Sequence, residues 1–391
     1  MAIEGGNDAV SERRLRLGMV GGGRGAFIGA VHRIAARLDD RFVLVAGALS
    51  SDSERAHASA ADLHISPERS YGSFAEMAVR EAARSDGIDV VAIVTPNHVH
   101  RAAATAFLDA GIHVICDKPL TSRIEDARDL AASVLRSGCI FALTHNYTGY
   151  PMVRQAREMV AAGELGELRV VQVEYAQDWL TTRLEATGQK QAAWRTDPAQ
   201  SGAAGSVGDI GTHAFNLAEF VTGLDCEFVA AELSRCVAGR ALDDNAHMLL
   251  RFAGGARGML WCSQVAVGND NALRLRVFGS KGSLDWAQEQ PNSLLVSRYG
   301  EPPQTIRRGS AGASAVAAHA SRIPGGHPEG YLEAFAQLYR DIAEQITARK
   351  SGRAPDAASR LVPGVAEGLR GMRFIAAAVA SSAADAAWMK L

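Results

Sequence analysis

Apolar residues follow two rhythms along the chain. From Leu15 to Thr144, short runs rich in β-branched residues alternate with stretches whose apolar positions recur at helical spacing. The runs Leu15 to Val20, Phe42 to Leu49, Val90 to Thr95, Val114 to Cys116 and Ile140 to Thr144 read as strands. Between them Ala26 to Leu38, Ser53 to Leu63, Phe74 to Arg84, His98 to Ala110 and Ile124 to Ser137 read as helices. Strands that are apolar throughout and separated by helices imply a parallel sheet covered on both faces, because a right-handed crossover places a helix between successive strands. The expectation is a polar tail over residues 1–14 and a doubly wound α/β domain over residues 15–146.

From residue 147 strands follow one another. Arg169 to Tyr175, Glu227 to Arg235, His247 to Phe252, Arg257 to Val265, Leu273 to Gly279 and Leu294 to Arg298 are the candidates, several joined by short glycine-containing turns that imply antiparallel meanders. Leu273-Arg274-Leu275-Arg276-Val277 alternates cleanly, the pattern of a sheet with one buried face and one polar or partner-covered face. Residues 300–326 are rich in Ser, Ala, Gly and Pro and read as an exposed loop; helices from Pro328 to Ala348 and from Val362 to Ala380 close the chain and are placed to pack back on the first domain.

Composition narrows the function. The 391 residues carry 41 Lys+Arg and 43 Asp+Glu, a formal net charge of -2, and no basic stripe, which argues against nucleic-acid and membrane-surface partners. No long uncharged apolar stretch reads as a transmembrane helix, and the first residues lack a signal-like apolar core, so a cytoplasmic protein is expected. The five cysteines, Cys116, Cys139, Cys226, Cys236 and Cys262, are scattered without CxxC spacing and read as buried reduced thiols.

The first strand runs into Val20-Gly21-Gly22-Gly23-Arg24-Gly25-Ala26-Phe27-Ile28-Gly29, and a helix follows. This is the setting of a dinucleotide turn: one glycine for the bend, one for close approach of pyrophosphate, a third for helix packing. Gly21 and Gly23 suit the first two roles; the third falls to Ala26 under strict spacing or to Gly29 if the loop is longer. Arg24 and Phe27 belong to the same candidate surface. Strand two ends Leu49-Ser50-Ser51-Asp52-Ser53-Glu54-Arg55, with no acid at its tip, so Ser50, Ser51 and Arg55 tilt the expectation of NAD(P) toward NADP; if Ser51 or Ser53 caps the next helix, Asp52 serves the ribose of NAD instead.

Three further segments occur in order: Thr95-Pro96-Asn97-His98-Val99-His100, Cys116-Asp117-Lys118-Pro119-Leu120, and Gly208-Asp209-Ile210-Gly211-Thr212-His213. With the glycine turn these resemble the Gfo/Idh/MocA family, the glucose-fructose oxidoreductase and inositol dehydrogenase group, over nearly the whole chain. The resemblance implies an N-terminal Rossmann domain and a C-terminal α/β domain over residues 147–391 with a large, mostly antiparallel sheet. It implies Lys118, Asp209 and His213 as the catalytic group. Thr95, Pro96, Asn97, His100 and Asp117 would line the nicotinamide side, with Trp194-Arg195 approaching its end. The family usually has Glu-Lys-Pro where this chain has Asp117-Lys118-Pro119, a carboxylate one methylene shorter.

The residues support that chemistry on their own terms. A Lys before a Pro at the carboxyl end of a parallel strand stands at the crevice where doubly wound sheets bind ligands. Asp209 and His213, four apart, share one face of a helix, so the carboxylate would orient the imidazole as a general base while hydride leaves the carbinol carbon. Residues 177–207 form a long polar connection that holds Asp178, Trp179, Arg183, Trp194, Arg195 and Asp197; with His145 and Tyr147 at the domain junction they suit a small polyhydroxylated ligand. His98, His100, His113, His145 and Asp209 share no recognisable ligand spacing, and no metal is expected. The expected activity is an NAD(P)-dependent dehydrogenase acting on a secondary hydroxyl of a sugar, sugar derivative or inositol, in a homodimer or homotetramer. The alternatives are a glycosidase that oxidises its sugar transiently, or a cofactor-bound regulator without chemistry.

Overall fold

The computed structural model describes residues 13–391. The expected polar tail lies outside the described residues except for Arg13 and Arg14, whose guanidinium groups pair with Asp89 and Asp40.

Five strands, β1 (Leu15–Gly21), β2 (Phe42–Ala48), β3 (Val90–Val94), β4 (His113–Cys116) and β5 (Phe141–Leu143), form one parallel sheet in the order β2-β1-β3-β4-β5. The helices α1 (Phe27–Leu38), α2 (Ser53–Asp62), α3 (Phe74–Ala82), α4 (His100–Asp109) and α5 (Ile124–Ser137) make the crossovers. Every residue of β3 and β4 is buried, as a sheet covered on both faces requires. The chain winds outward from β1 to β2 and then returns to the other side of β1 with β3. That reversal opens a crevice beyond the carboxyl ends of β1, β3 and β4, and all the nucleotide-domain segments singled out above sit there.

Helix α6 (Pro151–Ala161), begun by Pro151 at its first position, leads into a nine-stranded sheet. Its strands are β6 (Leu168–Ala176), β7 (Cys226–Ser234), β8 (Asn245–Phe252), β9 (Arg257–Ser263), β10 (Ala272–Gly279), β11 (Gly282–Ala287), β12 (Ser293–Arg298), β13 (Gln304–Arg307) and β14 (Met389–Lys390), in the order β13-β12-β11-β10-β6-β9-β8-β7-β14. All neighbours are antiparallel except β6 and β9, which run parallel and so finish at the same edge of the sheet. Between β6 and β7 the chain makes α7 (Lys190–Arg195), α8 (Pro198–Ser201), a π-helical turn at Val207–Gly211 and α9 (Thr212–Thr222). Helices α10 (Ala315–His319), α11 (Tyr331–Lys350) and α12 (Val365–Ala383) complete the fold.

Residues 300–326 are not the plain exposed loop expected from their composition. They contain β13 and α10, and a buried Arg308–Glu329 pair at 2.8 Å ties them to the start of α11. Cys116, Cys226 and Cys262 are buried free thiols, but Cys139 is half-buried and Cys236 is exposed.

Helices α6, α9 and α12 cover one face of the large sheet, where Val171, Val173, Leu260, Leu273, Leu275 and Val277 are buried. The alternate residues face outward, and among them Val170, Leu249, Met259, Phe278 and Leu295 are exposed. Helix α11 belongs to the other half: Phe335, Leu338, Tyr339, Ile342 and Ile346 share a core with Leu17, Met19, Phe42 and Val90 of the parallel sheet. At the seam between α6 and α11, Arg154 and Asp341 form a fully buried ion pair at 2.5 Å, with Gln337 donating to the same carboxylate at 2.7 Å.

Candidate active site

The glycine turn is an open cradle. Gly21, Gly22 and Gly25 have φ of 77°, 72° and 76°, a region closed to most side chains. A Cβ at Gly29 would lie 2.4 Å from the Gly22 backbone, so Gly29, and not Ala26, is the residue that lets α1 pack against the turn. Ala26 is the N-cap of α1; no side chain caps that end and no acid occupies its first turn, while the space around Gly25 is empty. An uncapped helix start with free backbone N–H groups beside a glycine-lined opening fits a pyrophosphate. From below, Arg33 donates to the Gly22 carbonyl at 2.7 Å.

At the end of β2, Asp52 turns back to cap α2, accepting from the Arg55 backbone at 2.7 Å, and Ser50 Oγ accepts from the Asp52 N–H at 3.2 Å. Ser51 and Arg55 are exposed at the same tip. Arg24 is paired with Asp62 at 2.5 Å, and Phe27 stands exposed at the first turn of α1.

The end of β3 departs from expectation. Asn97 is buried, and its amide donates to the Ser201 carbonyl of α8 at 2.8 Å. His100 is buried too, its ring nitrogens 3.0 and 2.9 Å from the carbonyls of Pro119 and Thr95. Both side chains therefore bind protein backbone and tie the strand ends and α8 together, where the motif led one to expect them turned toward a ligand. Thr95 Oγ1 is buried with no hydrogen-bond partner among the described residues.

Lys118 follows β4, before a cis peptide bond to Pro119. Its Nζ donates to Asp209 Oδ1 at 2.9 Å and to the Asp209 carbonyl at 2.6 Å. The other carboxylate oxygen accepts from Gln264 Nε2 at 2.9 Å and Arg195 Nε at 3.2 Å, and Arg195 itself stacks over Trp194. Burial disfavours the ionised Asp209, yet the charges of Lys118 and Arg195 and the hydrogen bonds from Lys118 and Gln264 outweigh it and hold the carboxyl well below its usual range. Asp117 faces inward: Thr144 donates to it at 2.6 Å and buried His32 lies 3.7 Å away. Burial opposes its ionisation, but His32, Thr144 and Lys118 bring its pKa down to about 2.

Asp209 and His213 do not form the pair that four-residue spacing implied. The π-helical turn puts one extra residue into the ladder ahead of α9, and both oxygens of Asp209 go to Lys118, Gln264 and Arg195. His213 Nδ1 is buried with no hydrogen-bond partner among the described residues. Burial, then Lys118, then His145 lower its pKa well below the ordinary histidine value, and burial with the Lys118 charge brings His145 to about 3, so both rings are neutral near pH 7. The His213 ring meets those of Tyr147 and His145 edge-on, at 4.8 and 5.4 Å. His145 Nδ1 and Asn146 Nδ2 likewise lack partners. Buried polar groups left unpaired in one place mark a surface whose pairing a ligand completes.

Around this group runs a polar wall in which Tyr147 and Trp179 were expected and Tyr175, Gln177 and Asn271 were not. Tyr147 and Tyr175 share a hydrogen bond through their hydroxyls, Tyr175 donates to Asn271 at 2.8 Å, Gln177 donates to Asn271 at 2.7 Å, and Trp179 donates to Gln177 at 3.0 Å. Tyr331, at the start of α11, is near enough for Tyr147, Asp117 and Asp209 to reinforce burial in raising its pKa. Asp178 lies at the rim, accepting from Gly268 N at 3.2 Å. Gln264 was not among the candidates either: the sequence put it inside the strand Arg257 to Val265, whereas β9 ends at Ser263 and leaves it at the sheet edge.

Comparison with known proteins places the whole chain. Residues 15–145 match the model of an oxidoreductase family with an NAD-binding Rossmann fold, and residues 153–285 match the GFO/IDH/MocA C-terminal domain. A solved oxidoreductase from Sinorhizobium meliloti is 54% identical, with a TM-score of 0.88 over 97% of this chain and 100% of that one. An inositol dehydrogenase homologue from Azotobacter vinelandii, solved with NAD+, is 35% identical, with a TM-score of 0.92 over 97% of this chain and 98% of its own. The same homologue has been solved with NADH and myo-inositol. A levoglucosan dehydrogenase of Pseudarthrobacter phenanthrenivorans is 28% identical over 321 residues, 76% of this chain and 79% of that protein.

Proposed function

This chain belongs to the Gfo/Idh/MocA oxidoreductases and has their NAD-binding domain, and we propose that it oxidises a secondary hydroxyl of a neutral cyclic polyol, a sugar, anhydrosugar or inositol. The observation that carries this reading is the cluster of Lys118, Asp209 and His213 at the carboxyl ends of the parallel strands, walled by Tyr147, Tyr175, Asn271 and Gln177. Aromatic faces beside paired amides and phenols suit a ring with hydroxyls at its edge. Relatives whose names include myo-inositol and levoglucosan point the same way.

When bound, the nicotinamide accepts the carbinol hydrogen as hydride. The chain supplies the rest. The ammonium of Lys118 hydrogen-bonds the substrate oxygen and stabilises charge as the alkoxide develops. Neutral His213 accepts the hydroxyl proton, and the C–O bond becomes C=O as the hydride leaves. Asp209 acts through Lys118, holding the ammonium by both its carboxylate and its carbonyl. Ser50, Ser51 and Arg55, with Asp52 engaged in capping α2, support acceptance of a 2'-phosphate and hence of NADP.

The test is a panel of free sugars, anhydrosugars and cyclitols run separately with NAD and NADP, following absorbance of the reduced cofactor. Net reduction with a free polyol is expected. Cleavage of a glycoside without net reduction would instead identify the transient-oxidation glycosidase, and nucleotide binding without turnover on any member would point to a regulator.

We also propose that the outward face of the large sheet is covered by a second copy of the chain. Val170, Leu249, Met259, Phe278 and Leu295 form an apolar surface on five strands that a monomer would leave in water. Equilibrium sedimentation is expected to give a dimer or tetramer, and Leu249→Arg to shift it toward monomer; a monomeric wild type refutes the proposal.

A further inference from the structure

Asp209 holds Lys118 through its backbone carbonyl and through one carboxylate oxygen only, so the angle of the carboxylate decides whether the second of these contacts is made. Lys118 takes Oδ1, while Oδ2 receives Gln264 and Arg195. The two donors on Oδ2 differ in kind. Arg195 belongs to α7 within the long 177–207 connection, is a quarter exposed, and also bonds Gln191. Gln264 is buried, and its backbone is fixed on both sides: its N–H donates to the Asp244 carbonyl at 2.8 Å, and its carbonyl accepts from Leu180 N at 3.0 Å.

The same dipeptide anchors the other side of the contact. The buried carboxylate of Asp243 accepts from Gly205 N at 2.6 Å, Ser206 Oγ at 2.7 Å and Val207 N at 2.9 Å, which pins the start of the π-helical turn that carries Asp209. Asp243 and Asp244 thus connect the Gln264 backbone and the Asp209 turn to one point, and the span between amide and carboxylate is set before any ligand arrives.

We propose that Gln264 is a positioning residue: its side-chain amide holds Asp209 Oδ2 so that Oδ1 stays on the Lys118 ammonium whichever way Arg195 moves. The proposal rests on the reading of Lys118 as the residue that contacts the reacting oxygen. A hydrogen bond to the ionised form of a carboxyl favours that form, so the Gln264 amide also helps keep Asp209 charged toward Lys118.

The test compares wild type, Gln264→Met, which keeps length and volume but has no donor, and Gln264→Glu, which puts a second carboxylate against Asp209. Crystal structures of the full chain are expected to show the Asp209 carboxylate rotated so that Oδ1 lies beyond hydrogen-bonding distance of Lys118 Nζ in both variants. Kinetics are expected to show kcat lowered roughly 30-fold in Gln264→Met, with nucleotide affinity unchanged. The loss of kcat should be larger in Gln264→Glu, where like charge pushes the Asp209 carboxylate away. A contact between Asp209 Oδ1 and Lys118 Nζ that survives in Gln264→Met, with kcat as in wild type, overturns the proposal. If Lys118→Ala retains wild-type turnover, the catalytic reading has failed, and the crystallographic position of Asp209 still decides whether Gln264 holds the carboxylate.

Discussion

Lys118→Ala is expected to lower kcat by about 10³-fold or more while leaving nucleotide binding intact. Among the described residues the ammonium is the one cation that touches both the carboxylate and the carbonyl of Asp209, and it stands beyond the end of β4, where the proposed mechanism puts the substrate oxygen. Its loss removes the donor aimed at the developing alkoxide. It also leaves Asp209 with less opposing charge, because Lys118 is the foremost of the charges that keep that carboxyl ionised. The glycine cradle does not touch Lys118, so titration of NADH fluorescence should give the wild-type dissociation constant. A variant that loses both together would place Lys118 in the nucleotide site and remove it from the chemistry. One that turns over normally would leave the cluster without a catalytic role.

The second large effect concerns a residue without a side chain. Gly29→Ala places a methyl group 2.4 Å from the Cα and carbonyl oxygen of Gly22. Neither atom is the end of a flexible chain, so helix and turn must separate. The expected cost is about 3 kcal/mol of stability, read as a lower midpoint in thermal or urea unfolding. Because the same movement pulls the start of α1 away from the turn, nucleotide affinity should fall about 100-fold. Ala26→Gly, at the position strict spacing would have chosen, is expected to leave affinity near wild type. Equal losses in the two variants would return the packing role to residue 26.

The contrast between these two glycine candidates shows what could be read from the residues and what could not. The parallel sheet was legible because a strand covered on both faces must be apolar throughout, and Val90–Val94 is. The places of Lys118 and the glycine turn followed from the rule that ligands gather at strand carboxyl ends. Which glycine packs against α1 depends on the depth of the turn, which spacing does not encode. Asp209 and His213 were correctly assigned to one region, but their partnership assumed an α-helical ladder; the π-helical turn breaks the phase and gives Asp209 to Lys118. Asn97 and His100 are polar residues beside a crevice, and from sequence alone nothing separates a group that faces a ligand from one that binds a neighbouring carbonyl. Gln264 was hidden for a longer-range reason. The sheet was expected to be mostly antiparallel, but nothing in the residues marks β6 and β9 as its parallel pair. Only that pairing sends Gln177 and Gln264, the residues just after each strand, to the same edge.

Helix α11 has a consequence for how the two halves can behave. Although it lies near the end of the chain, its apolar side completes the core beneath β1, β2 and β3. A fragment ending near residue 146 would expose that core to water and is not an autonomous folding unit, however complete its strands and crossovers look on paper. Nor are the halves free to swing about one linker, since α11 and the buried Arg154–Asp341 pair cross-brace them. The 177–207 connection, the piece that carries Arg195, adds a further tie to the nucleotide half through Asn97 and Ser201.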